Sequence, residues 1–341
     1  MSSAMVKLGD VINVHYGKAL KADQRVSNGS VHVFGSSGIV GNHDKTLCSY
    51  PTIIIGRKGS VGAITWAPDG GWIIDTAYYV EIKDNNKLDL RYLFYILSGI
   101  DLTKKTITTS IPGLNRDDLY DTFIKLPPFE EQKRIVDLLD KAEGIRQKRE
   151  QAIKLADDFL RATFATMYGN PITNPKKWPV HLMGEIIEFK GGNQPPKSDF
   201  IFEPKQGYIR LVQIRDFKSD KYATYIPQEK AKRIFEVDDV MIARYGPPVF
   251  QILRGLSGSY NVALMKASPK ENIRKGFIFY LLQLPEYHDV VVKNSERTAG
   301  QTGVNLELLN KFNVPLPPIY YQDEILARLA RIEKFKEKIE I

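Results

Sequence analysis

The sequence predicts an α+β chain of two tandem β-rich domains, each followed by a charged helix. Three observations carry that prediction. Five short blocks recur in the same order in the two halves. Runs of β-branched and aromatic residues bounded by Gly and Pro fill each half. Each half then closes on Leu-Pro-Pro ahead of a proline-free stretch with helical spacing.

The first unit opens on LGDVI (Leu8–Ile12), answered by MGEII (Met183–Ile187) 175 residues later. Strands are expected in PTIIIGRKGSVGAITW and GWIIDTAYYVEI, and in their counterparts DDVMIARYG, FQILRGLSG and YNVALMKA. Within these, Gly56–Gly59 (GRKG) pairs with Ala243–Gly246 (ARYG). Short amphipathic helices are predicted over 88–98 and 272–284, where LRYLFYIL answers KGFIFYLL. Loops rich in Thr, Ser and Gly follow at 106–113 and 298–303. Beyond them Gly113, Asn115 and Leu119 match Gly303, Asn305 and Leu309 at an offset of 190. At that same offset Leu126, Pro127, Pro128, Gln132 and Ile135 recur as Leu316, Pro317, Pro318, Gln322 and Ile325.

The proline pair imposes an extended entry to the helix. From Glu130 to about Met167, apolar or small residues fall on a seven-residue spacing: Ile135, Leu138, Ala142, Ile145, Ala152, Ala156 and Phe159. Arg149 interrupts this seam and Gly144 weakens the helix locally. The helix would be roughly 55–60 Å long. Its sister carries Ile325, Leu329, Ile332 and Ile339. Between Glu130 and Lys154 there are seven basic and six acidic residues, a balance that suits protein partners better than a polyanion. The turn-rich GNPITNPKKWP then leads into the second domain.

Among 341 residues with net charge +8, Cys48 stands alone, so neither a disulfide framework nor a Cys-rich zinc site is expected. No apolar run approaches the roughly 18 residues of a membrane span, and the N-terminus lacks a signal-peptide core. A cytoplasmic protein with a polyanionic partner and no membrane is expected.

These residues resemble the specificity subunit of Type I restriction–modification systems, and the similar recognition subunits of some Type IIB systems. The resemblance rests on PTIIIGRKGSVG followed by IDTAYYV, on VMIARYG and LSGSYNVALMK, on both Leu-Pro-Pro helix starts and on the linker. It implies two target-recognition domains with pseudo-two-fold symmetry, at 1–124 and 178–313. Helical spacers at 125–168 and 314–341, joined through a linker at 169–177, would pair as an antiparallel coiled coil. It further implies a non-catalytic chain without cofactor or metal. That chain would read a bipartite, asymmetric site in double-stranded DNA and dock methyltransferase subunits, two per chain, with restriction subunits as further partners. The short final helix departs from the family pattern.

Direct readout needs Arg, Asn or Gln at base edges, and phosphate contact needs Lys, Arg and small hydroxyl residues. The candidates in the first domain are Lys18, Lys21, Arg25, Arg57, Lys58, Lys104, Lys105, Thr109, Ser110 and Arg116. Those in the second are Asn193, Gln194, Lys197, Arg210, Gln213, Arg215, Arg244, Tyr245, Arg297, Gln301 and Asn305. Arg57 and Arg244 hold the same place in the repeat. Leu126-Pro127-Pro128-Phe129 lacks the Asn or Asp of a methyltransferase tetrad. Two alternatives stay open. One is a Mg-dependent nuclease using Asp69, Glu81 and Lys83, although Pro68–Gly71 also reads as a turn. The other is a scaffold without a DNA role.

Overall fold

Thr52–Gly56 is buried at all five positions, as a continuous apolar run requires of a central strand. In the computed structural model, which describes residues 4–107, 113–246, 248–295 and 303–340, the chain divides into two compact units, Met1–Gln147 and Lys148–Ile341. In the first unit this strand lies in an antiparallel sheet ordered Ile12–Tyr16, Ala77–Ile82, Thr52–Gly56, Ile64–Ala67. A second sheet orders Gly38–His43, Val31–Gly35 and Trp72–Ile73. The Pro68–Gly71 segment is the turn joining the two sheets. Gly70 adopts φ +68°, and a Cβ there would lie 2.1 Å from Cys48 O, so only glycine fits.

The helix Leu90–Ser98 begins where Asp89 accepts a hydrogen bond from Tyr92 N–H at 2.8 Å. It turns Tyr92, Leu93 and Leu97 onto a core with Ile12, Ile53, Ile55, Val80 and Leu119. The domain closes when Ala4–Lys7 pairs antiparallel with Phe123–Leu126, Ala4 opposite Leu126. The Leu-Pro-Pro lead-in therefore leaves from a strand tied to the domain's own beginning.

The second unit repeats this plan. Val180–Leu182 pairs with Asn313–Pro315, and one sheet orders Ile187–Gly191, Leu264–Pro269, Val240–Ala243 and Ile252–Leu253. Another orders Tyr225–Pro227, Tyr208–Val212, Gly258–Tyr260 and Ile234–Phe235, with Leu211 and Ser259 in parallel register. The single helix expected over 272–284 is shorter, Lys275–Leu281. Pro285, well suited to a first helical position, then starts a further helix, Pro285–Ser295.

The long helix runs from Phe129 to Tyr168 and spans about 60 Å. Gly169, at φ +92°, ends it by donating its N–H to Ala165 O. Within the second unit its buried face is Ala156, Leu160, Phe164 and Tyr168, a strict four-residue ridge. The Phe164 ring lies 5.2–5.5 Å from those of Tyr168, Phe277 and Tyr280. The last helix, Ile319–Glu340, runs antiparallel to this portion. Tyr321 near its start donates to Met167 O, and Lys336 further on reaches Asp157 at 2.8 Å. Removing the ring that three aromatics surround leaves a cavity that the packed helices close only in part. Phe164→Ala is expected to destabilise the protein by about 3–5 kcal/mol, read as a lower urea midpoint; a loss under about 1 kcal/mol would contradict this packing.

Candidate nucleic-acid interface

In the first unit Arg57 follows the buried strand directly. Its N–H donates to Thr76 O and its carbonyl accepts from Leu114 N–H, both at 2.9 Å, so its backbone is held from two sides. The guanidinium lies 5.1 Å from the centre of the Tyr16 ring and donates to Asp75 O at 3.0 Å. Arg116 approaches the same ring from 5.4 Å. Tyr16 is 48% exposed, so this is a surface aromatic set between two cations rather than a core residue. Beneath it Tyr78 donates to Leu114 O; burial, reinforced by nearby Tyr16 and opposed by Arg57, pushes its pKa up to about 12. Tyr78 is thus a neutral support at ordinary pH.

The second unit reproduces the scaffold and changes the tip. Arg244 donates its N–H to Ala263 O and accepts from Val304 N–H, as Arg57 accepts from Leu114. Gly17 and Gly192 are equivalent, and a Cβ on either would lie 2.1 or 2.0 Å from a carbonyl oxygen, of Ile74 and Asn261 respectively. Lys18 and Asn193 follow these glycines, their N–H groups bound to Ile73 O and Tyr260 O. In place of Tyr16, however, stands Gly191, and a Cβ there would lie 3.1 Å from Arg244 Nη1. Arg244 instead lies over Tyr245, itself packed against Gly303.

The remaining candidates fall into distinct environments. Lys18, Lys21, Lys58, Gln194 and Lys197 are exposed. Arg215 is also exposed and flanks Tyr222 together with Lys221, both cations within 5.5 Å of that ring. Arg25 turns inward to Val40 O at 2.7 Å. Arg210 pairs with Asp220 at 2.7 Å and approaches buried Asp216, whose pKa burial raises against the opposing pull of Gln213 N–H and Arg210. Gln213 reaches Thr224 Oγ1. Asn115 and Asn305 cap the helices Arg116–Tyr120 and Leu306–Asn310, so the Asn305 side-chain oxygen already accepts from Leu308 N–H. Lys104 and Lys105 lie in the turn Leu102–Lys105. Thr109, Ser110, Arg297 and Gln301 lie outside the described residues. Tyr16 and Tyr222 are the two candidates the sequence reading did not name.

The three groups of the nuclease alternative are engaged elsewhere or apart. Glu81 binds His15 at 2.8 Å, Lys83 donates to Gly9 O, and Asp69 sits in the intersheet turn. Among the described residues no three His, Cys, Asp or Glu side chains are grouped to hold a metal ion, and no helix is long and apolar enough to cross a membrane.

The expected seam residues also separate. Ile135 packs on the first domain's core, whereas Leu138 and Ile145 are exposed. Ala142 is exposed as well. In the second unit Ile325 and Leu329 are buried, while Ala152, Ala156, Phe159, Ile332 and Ile339 line an apolar groove of about 580 Å³ with Leu155, Phe335 and Arg331.

Residues 2–155 and 175–341 each match the family of the Type I restriction modification DNA specificity domain. The chain belongs to this family. As a specificity-domain protein it is 22% identical over 331 residues to the EcoBI specificity subunit of Escherichia coli, covering 85% of this chain and 69% of that one. It is 21% identical over 305 residues to the MjaVIII specificity subunit of Methanocaldococcus jannaschii, covering 77% and 69%. Its fold is similar to that of the S subunit from M. genitalium (TM-score 0.63, 15% identity, 99% of this chain and 91% of that one). It is also similar to a chain solved in work on complex assembly and conformational transition of the type I R-M system (TM-score 0.53, 20% identity, 99% and 92%).

Proposed function

We propose that this chain is the DNA-reading subunit of a cytoplasmic restriction–modification complex, each domain reading one half of a split, asymmetric site. The observation that carries this is the repeated arginine mount. Arg57 and Arg244 end equivalent strands and are tied to equivalent loops, yet one faces Tyr16 and the other Tyr245 above Gly191. A constant mount with a variable tip is what two related heads with different targets require. Lys18, Lys58 and Arg215 would contact phosphates, and Arg57, Arg116, Arg244 and Asn193 base edges. Chemistry on the DNA falls to partner subunits.

The helices would receive those partners, two methyltransferase subunits for the two Leu-Pro-Pro starts, with restriction subunits joining them. The apolar groove at Ala152, Phe159, Phe335 and Ile339, where both phenylalanines are exposed, supports this docking. Phosphate contacts make affinity depend steeply on salt. With about six such contacts, binding to duplex DNA is expected to fall on the order of 10³-fold between 50 and 200 mM salt. A flat response in a fluorescence-anisotropy titration would favour the scaffold reading. Plasmid cleavage by the pure chain with Mg²⁺, abolished in Asp69→Ala, would favour the nuclease.

A further inference from the structure

Each helix that follows Leu-Pro-Pro carries, in its first turn, a glutamine that is wholly buried, and both amides are used identically. Gln132 Nε2 donates to Lys87 O at 2.8 Å and Pro127 O at 2.9 Å, while its Oε1 accepts from Asp89 N–H at 2.9 Å. Gln322 Nε2 donates to Asn272 O and Pro317 O, both at 2.8 Å, and its Oε1 accepts from Arg274 N–H at 2.9 Å. Asp89 and Arg274 are the N-cap residues of Leu90–Ser98 and Lys275–Leu281. One amide therefore joins three pieces of each unit: the long helix, its proline lead-in, and the loop that starts the domain helix. Two donors and an acceptor on one planar group are what this junction uses, and asparagine offers the same set on a shorter arm.

The clamp is kept through a change of register. The glutamines and the proline carbonyls they bind lie 190 residues apart, but the other two groups they seize, at Lys87 and Asn272 and at Asp89 and Arg274, lie 185 apart, so a five-residue difference in chain length leaves every bond in place. A second clasp has been assembled from different parts. Tyr95 and Tyr280 both donate to a carboxylate on the adjoining long helix, Asp140 in one unit and Glu333 in the other. These acids stand at different steps of their helices. Arg91, on the tyrosine's own helix, shares Asp140, whereas Arg254, following the strand Ile252–Leu253, shares Glu333. Inherited packing would keep the same parts; here the junction is kept and the parts differ.

We infer that Gln132 and Gln322, backed by the Tyr95–Asp140 and Tyr280–Glu333 clasps, are positioning residues that hold each recognition domain at one angle to its helix and so restrict the gap between half-sites to a single length. The inference rests on the DNA-reading function proposed above. Without the clamp the first unit's junction is a strand end, a proline turn and the partly buried contacts of Ile135 and Val136, which leaves a pivot. A domain of this size has an arm of roughly 20 Å. Play of about 10° would then move its reading tip by about one base pair, 3.4 Å along the duplex.

The test is selection of binding sites from a random-sequence duplex pool, using the full chain, Gln132→Glu, and the double variant Tyr95→Phe/Tyr280→Phe. Gln132→Glu keeps the side-chain size and loses both donors. The unmodified chain is expected to return one gap length. Both variants should return the same half-site bases with mixed gaps, the preference for the original gap falling about tenfold, the worth of one buried hydrogen bond. A folded variant that keeps the single gap overturns the inference. So does one that loses base preference along with the gap, because that marks a purely structural role. If Gln132→Glu does not fold, the tyrosine pair, which keeps its rings and its packing, decides. An unmodified chain that selects no split motif overturns the DNA-reading function itself.

Discussion

Arg57→Ala is expected to weaken binding to the selected DNA site by about 5- to 150-fold, the loss of roughly 1–3 kcal/mol that one bidentate base contact contributes. The damage should be confined to one half-site. Arg57 is mounted for such a role: its backbone is bonded on both sides, and its guanidinium leans on Tyr16 instead of ranging through solvent. Little rotamer freedom would then be lost on binding. A scan of single-base substitutions across the site should show the preference flattened at one position, with the other half unchanged. Arg57→Lys should not restore it, since an ammonium keeps the charge but lacks the planar fork. Lys58→Ala, by contrast, should weaken all sequences alike and lower the salt dependence. Folding stability should barely move in Arg57→Ala, because the bond to Asp75 O lies at the exposed surface. Arg244→Ala should produce the mirror result in the other half-site, and flattening of both halves by either change would rule out separate reading heads.

The architecture was legible because its signals are local. The run at Thr52–Gly56, the Asp89-capped helix and the proline-free stretch to Tyr168 each announce themselves within a dozen residues or by the absence of a breaker. The buried face of the long helix was not. A seven-residue spacing selected Phe159, whereas the protein buries Leu160, Phe164 and Tyr168. The two patterns differ by a fraction of a turn, and what decides between them is the aromatic pair Phe277 and Tyr280, distant in sequence. Tertiary partners, not periodicity, chose the face.

The candidate interface was legible in its backbone and obscure in its side chains. The equivalence of Arg57 and Arg244 follows from the repeat alone, and their shared ties to Leu114 and Val304 are consistent with it. Tyr16 and Tyr222 are not legible in the sequence because a tyrosine at a strand end or in a turn reads as packing until its cations arrive from elsewhere in the chain. The Tyr16-Gly17-Lys18 sequence held a usable signal. A glycine at a strand end, between an aromatic and a lysine, marks a place where the backbone passes close to another strand. Arg210 shows the opposite difficulty. Only the fold brings Asp216 and Asp220 to it and employs its charge within the domain.

Inserting four helix-forming residues between Gln147 and Gln151 is expected to lengthen the gap between half-sites by one or two base pairs without altering either half-site. Four residues add about 6 Å of helix and advance its azimuth by about 40°. The translation corresponds to somewhat under two base pairs at 3.4 Å each, while the rotation matches the twist of about one, at 10–10.5 base pairs per turn. The new gap must compromise between the two, hence the expected range. This stretch suits the insertion because it is exposed and lies beyond Asp140 and the Arg146–Glu143 pair, which an inserted turn there leaves intact. Leu138 and Ile145 are exposed, so no domain core is disturbed. Site selection with the variant should return a single, shifted gap, in contrast to the mixed gaps expected when the glutamine clamp is broken. A shift reports the length of the ruler and a spread reports the stiffness of its ends. A gap left unchanged by the insertion would mean that the helix does not measure the distance, and that the partner subunits bound to it do.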